Sequence, residues 1–318
     1  MRIWRNILRM LVVIAICWCA ITQRAQAQTG NDQRPGSVLF YTIYTSTSTN
    51  TAASDTLISI TNTSPDTDID VHLYFVDSFT CQVADALLAL TRNQTARFLA
   101  GDIDPDVRGY IIAVAVDAQG LPAQHNFLVG SLFIKQQLGA VAGTTHSANL
   151  SAIAFAKMNN LTPPLLADGV TAELVFDGGT SASSYEPLPA DVALDNIEST
   201  ATADTRLNIF SPKSNLYGPG DFGGRLFIIY YDDAENAFSA LVGMVCWLQA
   251  RLTIIRNITL HIGAGSTGWA RIAGYRNDAR IPLLGSVIRA AEFSGGHNLH
   301  HLSSFPSYTI TVPVFPPR

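Results

Sequence analysis

Charge is scarce in this chain. Only 14% of its 318 residues are Asp, Glu, Lys or Arg, and lysine occurs just at Lys135, Lys157 and Lys213. Because 47% of the residues are hydrophobic and 9% aromatic, the shortage of charge does not signal disorder; it leaves material for one large core or two ordinary ones. Of the four cysteines, Cys17 and Cys19 lie in the apolar run near the N-terminus. There is no basic excess either. The formal net charge is −5, and an acidic surface repels phosphate backbones, so nucleic acid is excluded as the expected partner. After the first two dozen residues no apolar run approaches membrane length, which predicts no transmembrane segment in the mature chain. Val314-Phe315-Pro316-Pro317-Arg318 offers no hydrophobic or sorting tail.

What the N-terminus does have is a three-zone leader. Arg2, Arg5 and Arg9 form a basic start, Leu11 to Ile21 an apolar run too short to span a bilayer, and Ala25-Gln26-Ala27 a small-x-small cleavage pattern. Residues 1–27 therefore read as a signal peptide cut after Ala27. The expected location is periplasmic, cell-surface or extracellular. Cleavage removes four Arg and no acid, taking the charge from −5 to −9. Cys81 and Cys246 remain. An oxidising compartment permits a bridge between them, but they fall in different halves of the chain, and the sequence favours two separately buried thiols.

Strand signals dominate from residue 36. Val38–Tyr44 is rich in β-formers, Leu57–Thr61 and Val71–Val76 alternate, and Ile111–Val116 and Phe127–Ile134 are apolar on both faces, as buried strands are. One short helix is expected around Ala148–Met158. The second half then replays the first. Asp55-Thr56 recurs as Asp204-Thr205, and the strand ending at Asp77 as the one ending at Asp232. Gly109-Tyr110 recurs as Gly268-Trp269, and Leu128–Ser131 as Leu283–Ser286. His146 recurs as His297, and Thr171–Phe176 as Thr309–Phe315. Six matches in one order, with drifting offsets, predict an internal duplication whose loops have changed length. The expected fold is all-β: two tandem antiparallel β-sandwich domains, at residues 36–180 and 188–318, with linkers at 28–35 and 181–187, and Ser181 to Asp195 forming the join.

Three stretches carry a resemblance. Asn93–Phe98 with Gly101–Pro105 and Gly109-Tyr110, then Tyr231–Asn236, then Gly295–Leu299 through Val312–Phe315, are similar to segments of uncharacterised exported bacterial proteins. That resemblance implies no activity. The units also resemble immunoglobulin-like or fibronectin-like sandwiches in architecture, without the Cys…Trp…Cys pattern of antibody domains.

Each motif has a plain counter-reading. Gly263–Gly268 matches a dinucleotide fingerprint, and Ser266 a loose nucleophile elbow, but Trp269–Tyr275 continues as strand where both chemistries need a helix. Asp102, Asp104 and Asp106 space oxygen ligands as a calcium loop does, without the Gly and later Glu of an EF-hand, so calcium is a weak expectation. His297, His300 and His301 could bind a transition metal; in an extended strand His297 and His301 share a face and His300 points away. Asp232, Asp233 and Glu235 offer carboxylates for acid–base work. The leading expectation is a non-enzymatic exported protein binding an unknown protein or glycan partner, or serving in adhesion or structure. The alternative is a secreted hydrolase acting on glycans through residues 232–235.

Overall fold

The computed structural model describes residues 33–47, 54–137, 145–198, 204–219, 223–255, 262, 266–290 and 295–315. The signal peptide with its Ala27 cleavage site, and Gly263–Gly265 of the fingerprint, lie outside them.

The first half runs through β1 (Val38–Thr45), β2 (Asp55–Asn62), β3 (Ile69–Asp77), β4 (Val83–Leu90), β5 (Thr95–Leu99) and β6 (Arg108–Val116). It continues with β7 (Leu128–Gln137), β8 (Thr145–Ser151), β9 (Ile153–Phe155), β10 (Thr171–Phe176) and β11 (Ser184–Tyr185). The second half contains β12 (Pro189–Glu198), β13 (Asp204–Phe210), β14 (Gly224–Asp232), β15 (Ala237–Met244), β16 (Trp247–Arg251) and β17 (Thr267–Arg276). It closes with β18 (Ala279–Ile281), β19 (Leu284–Ala290), β20 (Gly295–Asn298), β21 (His300–Ser304) and β22 (Tyr308–Pro313). Among the described residues the chain is all-β, apart from a 3₁₀ turn at Ala100–Asp102 and one helical turn, α1, at Leu252–Ile255. No described helix is long and apolar enough to cross a membrane.

The helix expected near Ala148–Met158 is absent; β8 and β9 stand there. Ala148, Leu150 and Ala152 are buried while Ser147, Asn149 and Ser151 are exposed, a period of two that fits a strand and not a helix.

Among the described residues the strands form five sheets. Sheet A has the order β4-β3-β6-β1-β9 and sheet B β5-β2-β7-β8. Sheet D, β15-β14-β17-β12-β21 with β18 added to β17, and sheet E, β16-β13-β19-β20, use the corresponding strands of the second half. Sheet C, β11-β10-β22, pairs the closing strand of each half, from Thr171↔Pro313 to Phe176↔Tyr308.

This arrangement corrects the expectation of two tandem immunoglobulin-like or fibronectin-like sandwiches, each closed over its own interior. The central strands β1, β3 and β6 of sheet A are buried on both faces. Tyr41 reaches sheet B, its hydroxyl donating to Ser59 O at 2.9 Å. The opposite face is covered by the second half: Phe210 stacks on Tyr110 at 3.9 Å and 12°, and Trp247 Nε1 donates to Thr42 O at 3.0 Å. Tyr74 donates to Pro313 O of sheet C at 3.0 Å. One apolar core accordingly contains Phe40, Tyr110 and Ile112 together with Phe210, Trp247, Leu284 and Val312. A second core, including Leu194, Leu207, Ile228 and Ile272, lies between sheets D and E. Nor do five sheets amount to five propeller blades. A blade is built from consecutive strands around a central channel. Here β1 pairs with β6 and β9, β2 with β7, and β12 with β17 and β21.

The two cysteines expected to be separate are joined. Cys81 and Cys246 form a disulfide with a Cα–Cα distance of 5.6 Å, inside the usual range. The reading as separate thiols failed because the two halves pack on each other. Beside the bridge, buried Lys213 donates from Nζ to Cys81 O at 3.0 Å.

Candidate functional site

Sheet D presents an open face where the matching face of sheet A is covered, and its sequence says why. Aligning the β1–β6 and β12–β17 ladders places Asp191 where β1 has Val38, Asp195 where it has Thr42, and Arg271 where β6 has Ile112. Strand β6 is buried from Gly109 through Val116, whereas Trp269 and Arg271 on β17 are exposed. Carboxylates and guanidiniums at these places cannot be covered by an apolar layer without a large desolvation cost.

The open face combines aromatic area with fixed charge. Tyr231 and Trp269 are stacked at 4.6 Å and 14°. Arg280 lies 5.1 Å over the Tyr275 ring, a cation–π distance. Asp191 joins the strands beneath: Arg280 Nη2 donates to Oδ1 at 2.5 Å, and Arg271 Nη2 and Ser303 Oγ donate to Oδ2 at 2.9 and 3.0 Å. Burial acts to raise the Asp191 pKa, but these donors outweigh it and hold the carboxyl below its ordinary value. Asp191, Tyr231, Arg271, Tyr275 and Arg280, with Phe227, Ile229 and Ala273, line one recess.

At the rim stands a second group. Strand β12 bulges between Leu194 and Ile197, which pair with Ala270 and Gly268. Asp195 and Asn196 therefore share the span opposite Trp269, and Asn196 takes a left-handed φ of 49°. A bulge of this kind re-aims a side chain, here Asp195. The carboxylate meets two imidazoles: Oδ1 lies 2.8 Å from His297 Nε2 and Oδ2 3.3 Å from His300 Nε2. Burial acts to raise the Asp195 pKa, and the two histidines more than reverse it.

The histidines converge because the chain changes sheet between them. His297 belongs to β20 in sheet E and His300 to β21 in sheet D. The intervening Leu299 is buried, and its N–H donates to Gly285 O at 2.9 Å. The expectation that His297 and His301 share a face rested on one continuous strand, and this switch corrects it. Asp195 ends the segment expected to join the two units, which hides it among linker residues. The alternation of Asp191-Val192-Ala193-Leu194 leading into it was the available signal.

The other sequence candidates are placed as follows. Asp102 accepts from Leu99 N at 3.3 Å and Asp104 from Tyr44 Oη at 2.5 Å, while Asp106 has a φ of 62°. Among the described residues, the histidine and carboxylate atoms that come together in threes are those of Asp195, His297 and His300. Asp232 accepts from Asn236 N at 2.7 Å, Ala234 N at 3.0 Å and Asn236 Nδ2 at 2.9 Å. Asp77, its counterpart, likewise accepts from Phe79 N and Thr80 N, at 2.5 and 2.9 Å. Both carboxylates close the turns that follow their strands.

No family model and no curated protein matches the chain. Among solved structures, Thermotoga maritima 1070 is similar over 38% of this chain and 95% of its own, at 10% identity and a TM-score of 0.28. The Pleurotus ostreatus lectin in its apo form is similar over 89% of this chain and 80% of its own, at 9% identity and a TM-score of 0.17. These values carry no argument about fold or function. The resemblance to exported β-sandwich proteins is thus corrected by the five-sheet arrangement and its shared core.

Proposed function

We propose that this is an exported, non-catalytic binding protein that takes a glycan on the open face of sheet D. The observation that carries the reading is the stacked Tyr231–Trp269 pair, set beside the Arg271–Asp191–Arg280 network. The apolar C–H face of a sugar ring packs on an aromatic surface, and its hydroxyls pair with a few fixed polar groups that set orientation. Export is supported by the leader at residues 1–27 and by the Cys81–Cys246 bridge, since disulfides persist in oxidising compartments. The roles of Asp232 and Asp77 in their turns support the non-catalytic reading.

A protein partner is the second reading. Leu241, 62% exposed, pairs with Phe227 at the edge of the same face and would give such a partner an apolar contact.

Saturation-transfer NMR of the mature protein against a panel of oligosaccharides tests the proposal. Binding to at least one sugar, weakened about tenfold or more by Trp269→Ala, is expected. Absence of binding across the panel, or binding indifferent to Trp269→Ala, overturns it.

A further inference from the structure

We infer that Asp195, His297 and His300 form a binding site for a divalent first-row transition metal ion of the zinc type. The inference is independent of the glycan reading, since it rests on other residues at the rim of the face.

The donor atoms are already gathered: one from each of the three residues, all within 4.8 Å of one another. Zinc ligated by nitrogen and oxygen at about 2.0–2.2 Å places adjacent donors roughly 3.3 Å apart in a tetrahedron. The carboxylate–imidazole separations here are 2.8 and 3.3 Å. Small side-chain shifts suffice to admit an ion.

The alternative is a plain ion pair, and the His297 contact is poor for that. Nε2 of His297 is itself shielded from solvent, although the side chain is 40% exposed, and it faces Asp195 Oδ1 at 2.8 Å without good hydrogen-bond alignment. Proximity without hydrogen-bond alignment leaves the nitrogen unsatisfied. A cation in front of it would take its lone pair and the carboxylate's charge together.

Ligand type sets the class of ion. Two imidazoles and a carboxylate suit zinc and its first-row neighbours, whereas calcium and magnesium take oxygen ligands. Three protein ligands leave at least one coordination position for water or a further group.

The site is held from three directions. Asp195 comes from the β12 bulge, and His300 from β21, where it pairs with Ala193. His297 comes from β20, which is fixed against sheet B: Asn298 Nδ2 donates to Ser151 O at 2.8 Å, and a Cβ at Gly296 would press on Leu150. The first half has Thr42 in the Asp195 position, bonded to Ser286 under sheet E. The site therefore belongs to the second half alone.

The test is zinc titration of the untagged mature protein by calorimetry at neutral pH, with cobalt(II) as a spectroscopic probe. Expected are a single equivalent of zinc, visible cobalt bands characteristic of nitrogen and oxygen ligation, and a zinc-dependent rise in melting temperature. Asp195→Asn, His297→Gln and His300→Gln should each weaken zinc by about tenfold or more, while melting cooperatively without metal. No zinc uptake by the wild type overturns the inference. So does uptake that all three folded variants retain unchanged.

Discussion

Thr42 and Ser286, 244 residues apart, share a buried hydrogen bond of 2.7 Å between their hydroxyl oxygens. Thr42 lies on β1 of sheet A and Ser286 on β19 of sheet E, and both are at most 1% exposed. A polar pair enclosed by apolar side chains contributes specificity of register as well as energy, because neither hydroxyl has water to replace its partner. Thr42→Val should lower unfolding free energy by about 1–3 kcal/mol, the cost of an unsatisfied buried hydroxyl. The double variant with Ser286→Ala should lose less than the sum of the single variants. Urea unfolding of all four proteins measures the coupling, and strict additivity would show that the bond does not join the halves energetically.

The Cys81–Cys246 bridge closes a segment spanning 165 residues. Peptide mapping without reductant should recover the two cysteines in one linked species. Reduction, or Cys81→Ser with Cys246→Ser, should cost about 2–5 kcal/mol, read as a lower urea midpoint. Unlinked peptides from a never-reduced sample would refute the pairing.

His72 gives the molecule an acid-side sensitivity. Its ring is buried, with Nε2 2.9 Å from Asp85 Oδ2 and Nδ1 2.9 Å from the Tyr74 hydroxyl. Burial lowers its pKa below the ordinary 6.5, against the opposing pull of Asp85. A histidine depressed on folding binds its proton more readily when unfolded. Its contribution is therefore present above 6.5 and is lost as pH falls through the folded value. His125, lowered by burial as well, adds in the same direction. His72→Phe, which mimics Phe227 at the corresponding place in β14, should flatten the fall in melting temperature between about pH 7 and about pH 5. An unchanged slope would rule His72 out as a source.

Gly109 and Gly268 open equivalent strands, and in each a Cβ would collide with a backbone carbonyl, that of Val76 or of Tyr231. Backbone atoms cannot swing aside as the end of a side chain can. Gly109→Ala should cost about 1–3 kcal/mol, whereas Gly243→Ala, with nothing within 4 Å of the new atom, should be close to neutral. Equal effects would show that the close approach at Gly109 relaxes freely.

Strand content was legible in the sequence because period-two burial and β-branched residues report on local structure. Layering was only partly so. Ile111–Val116 announced a strand buried on both faces, but the run cannot say whether the second cover comes from its own half or from the other. The contrast with Trp269-Ala270-Arg271-Ile272, which alternates, was the sign that the matching strand keeps one face open. The metal site was hidden for a geometric reason. Asp195 is aimed by a bulge, and His297 and His300 meet only because the backbone changes sheet at Leu299. Spacing in an extended chain assigns the two histidines to opposite sides.

The pairing of β10 with β22 bears on the order of assembly. A ribosome delivers the chain from its N-terminus, so the strands of sheet A emerge long before Phe210, Trp247 and Pro313, which shield Phe40, Tyr110 and Tyr74. Until the last strand docks, Tyr74 lacks its Pro313 contact, and apolar surface left open in this way is prone to capture by other chains. A variant lacking the strand Tyr308–Pro313 should therefore leave sheet A half-covered and aggregate where the intact protein does not.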